Sequence, residues 1–303
     1  MLNRAAHRKR FLQRVYEGLI ERALFGCALF SVLITGGVLS VLLFETLGFF
    51  KEVSLIAFLT DTQWTPLFFE KHFGILPLLS GTFLVTAIAL SVALPIGLVS
   101  AIYISEYASD PIRIFVKPTL EILAAVPTIV YGYFALTVVT PQLQRFIPSL
   151  SGFNALSPGI VMGIMIVPII ASLSEDALHA VPIGLREGGY ALGATRLQVV
   201  LHVVLPAAIS GVVASFILGV SRAVGETMIV TIAAGLQPRL TLNPLVPIET
   251  ATAYIAQVSM GDTPHGTLAY RTIFAVGTSL FLLTFILNIM GFLLRKRFRN
   301  LYE

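Results

Sequence analysis

The sequence has 303 residues, of which 56% are hydrophobic and only 12% charged, with 20 basic and 16 acidic side chains. An average soluble domain has about 25% charged residues, so a soluble enzyme of this size is excluded. Intrinsic disorder is also excluded, because disordered chains are poor in apolar residues. The single cysteine, Cys27, rules out an internal disulfide framework and a cysteine metal cluster. We therefore expect an all-α integral membrane protein.

Long runs without charged residues predict six membrane-spanning helices. A helix needs about 20 apolar residues to cross the hydrocarbon core, and trimming the runs by hydropathy and turn residues gives the ends. The predicted spans are 24–47, 77–104, 118–139, 158–174, 207–235 and 272–294. The first span is too long for a cleaved signal peptide and is expected to remain as an anchor. Three prolines inside spans are expected to bend their helices: Pro95, Pro127 and Pro168.

The positions of the basic residues predict the orientation. With both termini in the cytoplasm, 14 basic residues lie inside and five outside, which is the bias expected for a bacterial plasma membrane. We divide the chain into a basic cytoplasmic segment, 1–22, and a six-helix transmembrane domain, 23–303. The N-terminal arginines could bind nucleic acid, but attraction to anionic lipid headgroups is the plainer account, and no nucleic-acid partner is expected.

Two connections between the spans are long enough to hold structure of their own. Residues 175–206, on the cytoplasmic side, have the mixed polarity of a helical hairpin with breaks at Pro182 and Gly193. The outer connection, 236–271, has apolar residues at helical spacing, which predicts a short helix at or in the outer surface: Ala251, Tyr254, Ile255 and Val258.

Motifs for catalysis and nucleotide binding are missing from the sequence. The five histidines show no metal-ligand spacing, and no nucleophile elbow is present. None of the lysines follows a glycine, so there is no P-loop to hold a nucleotide. We predict that the chain is not an enzyme and binds no cofactor or metal, and that any ATP-Mg it depends on is bound by another chain.

The cytoplasmic connection contains a segment that resembles the EAA signature of ABC importer permeases. A glutamate and small residues are followed, nine residues beyond Ala194, by Val203-Val-Leu-Pro206, although two glycines and a valine replace the usual two alanines and isoleucine. An ordinary amphipathic loop is the alternative. Small residues allow close approach to a partner, so we predict that an ATPase docks on Glu187, Gly188, Gly189, Ala191, Leu192, Gly193 and Ala194.

The fifth predicted span contains a basic and an acidic residue, Arg222 and Glu226. They are four residues apart and are expected on one helix face. A charge near the bilayer centre costs roughly 2.5–3.5 kcal/mol, so both must face the bundle interior or water. The pair either pins helix packing or forms an anion site, since a guanidinium matches a tetrahedral oxyanion with two parallel donors. Ser221 and Thr227 are predicted to line this path, and Glu226 either holds Arg222 or contacts a protonated substrate.

Most of the chain, from Phe73 to Arg299, resembles the permease subunits of the bacterial phosphate ABC importer, the Pst system. The resemblance rests on the EAA-like segment and on five further motifs: Gly74-Ile-Leu-Pro77, Ile104-Ser-Glu-Tyr107, Leu120 to Gly132, Ser221 to Thr227, and Thr252-Ala-Tyr-Ile255 with Gly261-Asp262. The first and the last of these motifs are more similar to the C-type permease than to the A-type permease. The resemblance implies a type I ABC importer permease fold. The first 70 residues carry no comparable motif.

The resemblance also implies a function and partners. It indicates a subunit that imports inorganic phosphate together with an A-type sister permease, an ATPase dimer and an extracytoplasmic phosphate-binding protein. It further implies that Arg222 and Glu226 take part in phosphate passage. A permease for sulfate or molybdate is the alternative within this class. An ATP-independent ion-coupled carrier is a third hypothesis, although such carriers usually show inverted repeats, which this sequence does not show.

Overall fold

A computed structural model of the chain describes the backbone of residues 2–261 and 263–299 and the side chains of residues 16–261 and 263–294. Asp262 and the basic side chains of both termini lie outside these ranges. The described helices are α1 Leu2–Phe50, α2 Leu55–Thr60, α3 Leu76–Ile102, α4 Asp110–Ala124, α5 Thr128–Phe134, α6 Thr140–Phe146, α7 Leu156–His179, α8 Ile183–Ala191, α9 Arg196–Val199, α10 Leu205–Val224, α11 Met228–Ala233, α12 Ala251–Met260 and α13 Leu268–Arg299.

Short π-helical turns continue three of these helices. They are Tyr103–Tyr107 after α3, Ala135–Val139 between α5 and α6, and Val200–Val204 between α9 and α10. The turns 135–139 and 200–204 join the helices on both sides without an interruption, whereas the turn 103–107 ends at Ala108, whose extended ψ of 142° separates it from α4. Strands are absent from the described residues, which contain only two isolated β-bridges.

Five continuous helices are long and apolar enough to cross a membrane: 16–50, 76–107, 156–179, 196–224 and 268–294. The bent pair 110–124 and 128–146 makes a sixth if its two helices are counted as one broken span. The all-α fold predicted from the charge-free runs is thus confirmed, with five to six apolar spans, but two of the predicted spans have different courses.

The third span is not the continuous helix predicted over 118–139. The chain bends by 85° between α4 and α5, at residues 125–127. Pro127 has an extended ψ of 132°, and it lacks the N–H that would continue the helix. A proline also drives the preceding residue, here Val126, out of the helical region. The expected bend at Pro127 is therefore a complete break, and α4 lies at a steep angle to the helix that follows.

The fifth span also differs from its prediction of 207–235. Its helix begins at Arg196 and ends at Val224, and α11 starts only at Met228. Gly225 follows the last helical residue, and glycine is among the least favourable residues for continuing a helix. The fold therefore contains two interrupted spans, one broken at 125–127 and the other at 225–227.

The centre of the bundle is the pair α3 and α7, which approach closely where glycines face the other helix. A methyl group at Gly163 would lie 2.7 Å from the carbonyl oxygen of Ala89, and one at Gly97 would lie 2.7 Å from Cγ2 of Ile170. Both distances are shorter than van der Waals contact, so larger residues there would force the helices apart. The surrounding core is fully buried at Ile166 and Ile170.

The short helices after the two breaks pack on each other. A Cβ atom at Gly132 of α5 would lie 3.0 Å from Cδ1 of Ile232 and 3.2 Å from Cα of Ile229, both in α11. Ile229 is fully buried. The two interrupted spans are thus joined directly beyond their breaks.

The two terminal helices lie at the edge of the bundle. None of the apolar stretch of α1 is buried within the chain, which is consistent with a face covered by lipid. It contacts α13 through Thr46 and Thr278, whose hydroxyl oxygens are 2.7 Å apart. Near the end of α1, Arg271 donates to Glu52 at 2.9 Å. The basic segment 1–22 and the transmembrane domain are not separated in the backbone, because α1 runs unbroken from Leu2.

Candidate functional site at the break of the fifth span

The structure brings Arg222 and Glu226 together, but not on one helix face as predicted. Arg222 lies in the last turn of α10, and Glu226 lies in the break beyond it. Nη1 of Arg222 donates to Oε2 of Glu226 at 2.7 Å. The prediction of a shared face assumed that the helix continued past Gly225, and it is wrong because the helix ends there.

Both oxygens of the Glu226 carboxylate have hydrogen-bond partners within the chain. It is 2% exposed, and its Oε1 accepts hydrogen bonds from the backbone N–H groups of Met228 at 3.1 Å and Ile229 at 3.4 Å. These are N–H groups of the first turn of α11, where a negative charge is favourable. The backbone oxygen of Glu226 accepts a hydrogen bond from Oγ1 of Thr252 at 2.6 Å. Glu226 therefore ties together α10, α11 and α12.

The guanidinium of Arg222, by contrast, is only partly enclosed. Its side chain is 39% exposed, and its Nη2 has a single weak contact, 3.8 Å to the sulfur of Met165. One end of the fork is thus bound to Glu226 while donors at the other end remain available. A cation positioned in this way can bind an anion and still keep its internal partner.

The two hydroxyl residues predicted beside the pair are near it in the chain but already bonded. Oγ of Ser221 donates to the carbonyl of Ile217 at 3.0 Å and lies 3.4 Å from Oδ1 of Asn288. Oγ1 of Thr227 has a long contact of 3.4 Å to the carbonyl of Gly225. Arg222 is consequently the member of the predicted set with clearly unused donors.

The predicted docking segment forms α8 and the turn after it. Pro182 precedes α8, and Gly193 ends the segment with a φ of +78°, a conformation that glycine adopts without strain. Glu187 is exposed, and Leu192 is 90% exposed. The close approach at Gly189 is to the chain itself, since a Cβ there would lie 3.0 Å from Cγ2 of Val199. Gly188 faces open space.

The residue before Glu187, which the sequence reasoning missed, fixes α8 to the bundle. Arg186 donates to the backbone oxygens of Leu178, at 2.8 Å, and Val181, and to Oε1 of Glu106 at 3.0 Å. Glu106 lies in the π turn after α3 and is 7% exposed. Adjacent residues of α8 therefore have different surroundings, because Arg186 binds to the bundle while Glu187 is exposed. Glu106 was part of a motif noted above, but nothing in the sequence indicated a partner 80 residues away.

A second ion-pair network, also missed, attaches α4 to α7. Glu175 is 1% exposed, and it accepts hydrogen bonds from Arg113 at 2.5 Å and from Lys117 at 2.9 Å. Arg113 and Lys117 are one helical turn apart on α4. They hold the polar side of α4 against the end of α7, so the helix before the break at 125–127 is fixed in place.

Comparison with known proteins agrees with this architecture. Residues 93–300 match the model of the family described as binding-protein-dependent transport system inner membrane component. The chain belongs to this family of ABC transporter permeases, and within it to the PstC-type permeases.

Two curated relatives illustrate the membership. A protein named phosphate transport system permease protein PstC, from Haemophilus influenzae, is 32% identical over an alignment of 305 positions, gaps included. The alignment covers 94% of each chain. A probable ABC transporter permease protein of Bacillus subtilis, YqgH, is 36% identical over 234 residues, covering 77% of this chain and 75% of the relative. The resemblance found in the motifs is thereby confirmed.

Solved structures show the same fold at lower identity. A bacterial ABC transporter involved in the import of alginate aligns with a TM-score of 0.64 at 14% identity, covering 94% of this chain and 99% of the other. The MetNI methionine ABC transporter aligns with a TM-score of 0.55 at 20% identity, covering 74% and 94%. These similarities confirm the type I ABC importer permease fold.

Proposed function

We propose that this chain is the C-type permease subunit of an ATP-driven importer of inorganic phosphate. The observation that carries the proposal is the half-open guanidinium of Arg222, which keeps donors free for an oxyanion while Glu226 holds its other end. The names of the PstC relatives support phosphate as the oxyanion. Ser221 and Thr227 lie beside this passage.

The importer needs partners that supply energy and substrate. An ATPase dimer binds ATP-Mg and docks on the exposed side of α8, at Glu187 and the segment through Ala194. An A-type sister permease completes the membrane part, and an extracytoplasmic phosphate-binding protein delivers the substrate. The family description as a binding-protein-dependent system supports the last partner. In this assembly, the chain spans a bacterial plasma membrane, and both of its termini lie on the cytoplasmic side.

The substitution Arg222→Lys tests the proposed passage. Lysine keeps the positive charge but has no planar fork, so it cannot hold Glu226 and an oxyanion with parallel donors. We expect phosphate uptake by the reconstituted complex to fall at least tenfold, since a hydrogen bond to a charged group contributes about 1.5–3 kcal/mol and 1.4 kcal/mol is a factor of ten. The complex should assemble normally.

The matched variant is Glu187→Lys, which changes the docking surface and leaves the passage intact. We expect it to lose the ATPase during purification while Arg222→Lys retains it. Unchanged uptake by Arg222→Lys would remove the role of Arg222, and an intact complex with Glu187→Lys would remove the docking assignment. Equal uptake of sulfate or molybdate by the wild-type complex would contradict phosphate specificity.

A further inference from the structure

A largely apolar cavity with a few polar side chains lies apart from the Arg222 site, near the end of the bundle that carries the connections 51–75 and 235–250. Its volume is about 190 Å³, and we call it the Glu249 pocket. Three parts of the chain enclose it: the loop after α2, the connection after α11, and α12. The polar and aromatic residues in its lining are Trp64, Gln237, Arg239, Glu249, Tyr254 and Gln257.

Glu249 is buried at this pocket without a complete set of partners. It is 2% exposed, and its Oε1 has no hydrogen bond to any described residue. Its backbone is fixed, because a Cβ at Gly81 of α3 would lie 2.3 Å from the carbonyl oxygen of Glu249. The next residue, Thr250, caps α12 by accepting a hydrogen bond from the N–H of Ala253. The backbone that carries the carboxyl group is therefore fixed by its neighbours, while the carboxyl group itself is buried at the pocket.

The polar side chains around Glu249 are also unused. The buried Nε1 of Trp64 meets no acceptor with full hydrogen-bond geometry among the described residues, although the Tyr254 hydroxyl is near it. The side chains of Gln237 and Arg239 are exposed and that of Gln257 is half-buried, and none of the three makes a hydrogen bond or an ion pair to a described residue, so each is free to turn toward the pocket that it lines. Buried polar groups are nearly always paired, so the unpaired Oε1 of Glu249 beside this cavity indicates a missing ligand. Indole and guanidinium groups are donors only, which makes an acceptor-rich ligand the best match.

The charge of the pocket also favours an anion. Burial raises the pKa of the Glu249 carboxyl to about 8, so at pH 7 it is mostly neutral and can itself donate a hydrogen bond. Arg239 is the charged residue in the lining, and Tyr254 is the other titratable one. The Tyr254 hydroxyl is shared with Thr272 at 2.6 Å. The loop after α2 contributes apolar residues and Trp64 to the lining, and α3 contributes none of it.

We propose that the Glu249 pocket is a second binding site for a tetrahedral oxyanion, namely inorganic phosphate. Glu249, Trp64 and Arg239 supply the donors. The amide groups of Gln237 and Gln257 can donate to the anion or accept from a protonated oxygen. The proposal extends the phosphate import proposed above and rests on it for the identity of the ligand.

The backbone connects the two sites. Glu249 lies three residues before Thr252, whose hydroxyl donates to the backbone oxygen of Glu226 at 2.6 Å. Thr250 and Thr252 are themselves in contact, with their hydroxyl oxygens 3.0 Å apart. The proposed site and the Arg222–Glu226 pair therefore share the segment 249–252.

The test measures equilibrium binding of radiolabelled inorganic phosphate to the purified complex without its binding protein. The Arg222→Lys background is used so that the passage site contributes little to the signal. We expect saturable binding at pH 7 that weakens at least tenfold when Arg239→Gln or Glu249→Ala is added. Each variant is checked for intact assembly by size-exclusion chromatography and by its melting temperature.

The variant Glu249→Gln tests whether the carboxyl proton of Glu249 donates to the anion, because glutamine has nearly the same shape but does not ionise. An amide still donates but cannot ionise, so this variant should bind phosphate at pH 7. From pH 7 to pH 9, binding to the parent should fall at least fivefold more than binding to Glu249→Gln, because a carboxyl with a pKa of about 8 is mostly ionised at pH 9. The titration of phosphate itself is common to both proteins and cancels in this comparison.

Three results would overturn the proposal. Phosphate binding that is unaffected by both Arg239→Gln and Glu249→Ala would exclude the pocket as an anion site. Binding that strengthens relative to Glu249→Gln as the pH rises would exclude a donating carboxyl. Absence of saturable phosphate binding in the Arg222→Lys background would exclude the pocket as an anion site. The proposed import function fails separately, through an absence of ATP-dependent phosphate uptake by the reconstituted wild-type complex.

Discussion

Two buried glutamates in neighbouring parts of the chain have opposite surroundings. Glu226, at the break of the fifth span, binds Arg222 and the first N–H groups of α11. Glu249 is equally buried but leaves Oε1 unpaired at a cavity. Burial alone therefore does not define a role. The first carboxylate fixes the junction of three helices, whereas the second is available to a ligand.

The largest effect is expected where the paired glutamate is removed. Glu226→Ala leaves Arg222 without its partner and exposes two backbone N–H groups at the start of α11. Removing one partner of a buried pair costs about 3–5 kcal/mol, and we expect the lower end because Arg222 is 39% exposed. Thermal unfolding of the purified complex measures the loss, and phosphate uptake should disappear with it.

Conservative variants sharpen this contrast. Glu226→Gln keeps an acceptor for the N–H groups of α11 but loses the charge opposite Arg222, so its melting temperature should lie between those of wild type and Glu226→Ala. Glu249→Gln should melt above wild type at pH 7, because the folded carboxyl is mostly neutral there while the unfolded one is ionised, and an amide avoids this cost of keeping the proton in the folded state. Equal destabilisation by Glu226→Gln and Glu249→Gln would show that the two environments do not differ as described.

The next effect is a pH dependence of stability that comes from Glu249. Its pKa is about 8 when folded, against an ordinary value of 4.5. Over this interval the unfolded chain has lost its proton while the folded chain keeps it, so the free energy of unfolding falls as the pH rises. The loss is at most about 1.4 kcal/mol per pH unit, or about 2 kcal/mol between pH 6 and 7.5.

The measurement is the melting temperature of wild type and Glu249→Gln at matched pH values without phosphate. We expect the wild-type melting temperature, relative to that of the variant, to decrease steadily from pH 6 to 7.5. Other titrating groups are common to both proteins and cancel in the difference. A difference that stays constant over this range would show that Glu249 titrates at its ordinary value.

The smallest effect is expected at the contact between the two regions. Thr252→Val removes the hydroxyl that donates to the backbone oxygen of Glu226 and changes little else in shape. Leaving a buried carbonyl unpaired costs about 1–3 kcal/mol. We expect a loss near the lower bound, measured by thermal unfolding, and recovery by Thr252→Ser. Failure of serine to restore stability would indicate that the methyl group, not the hydroxyl, is the important part of Thr252.

The sequence was sufficient for the features that depend on composition along the chain. The six spans, the short helix at 251–260 and the pairing of Arg222 with Glu226 followed from charge-free runs and from the spacing of two residues. The two helix breaks were not predicted, because Pro127 could equally have produced a mild bend and Gly225 could have been tolerated inside a helix. Their outcome depends on contacts from other helices, such as the hydroxyl of Thr252.

Residues that act through distant partners were beyond the reach of the sequence. Arg186 and Glu106 are 80 positions apart in the sequence. From the sequence alone, each is expected to be an ordinary exposed charge near a membrane surface. Glu249 was equally inconspicuous, since it lies in a polar connection where an exposed carboxylate is the normal expectation. Only the packing of Trp64 and Tyr254 around it shows that this acid is buried.

The two interrupted spans have a consequence for motion. Because α3 and α7 interlock at Gly97 and Gly163, they cannot slide past each other without losing their contact. A change of shape is therefore absorbed at residues 125–127 and 225–227, where the backbone leaves the helix. Since α5 and α11 pack on each other through Gly132, we expect these two short helices to move together when the backbone changes at either break.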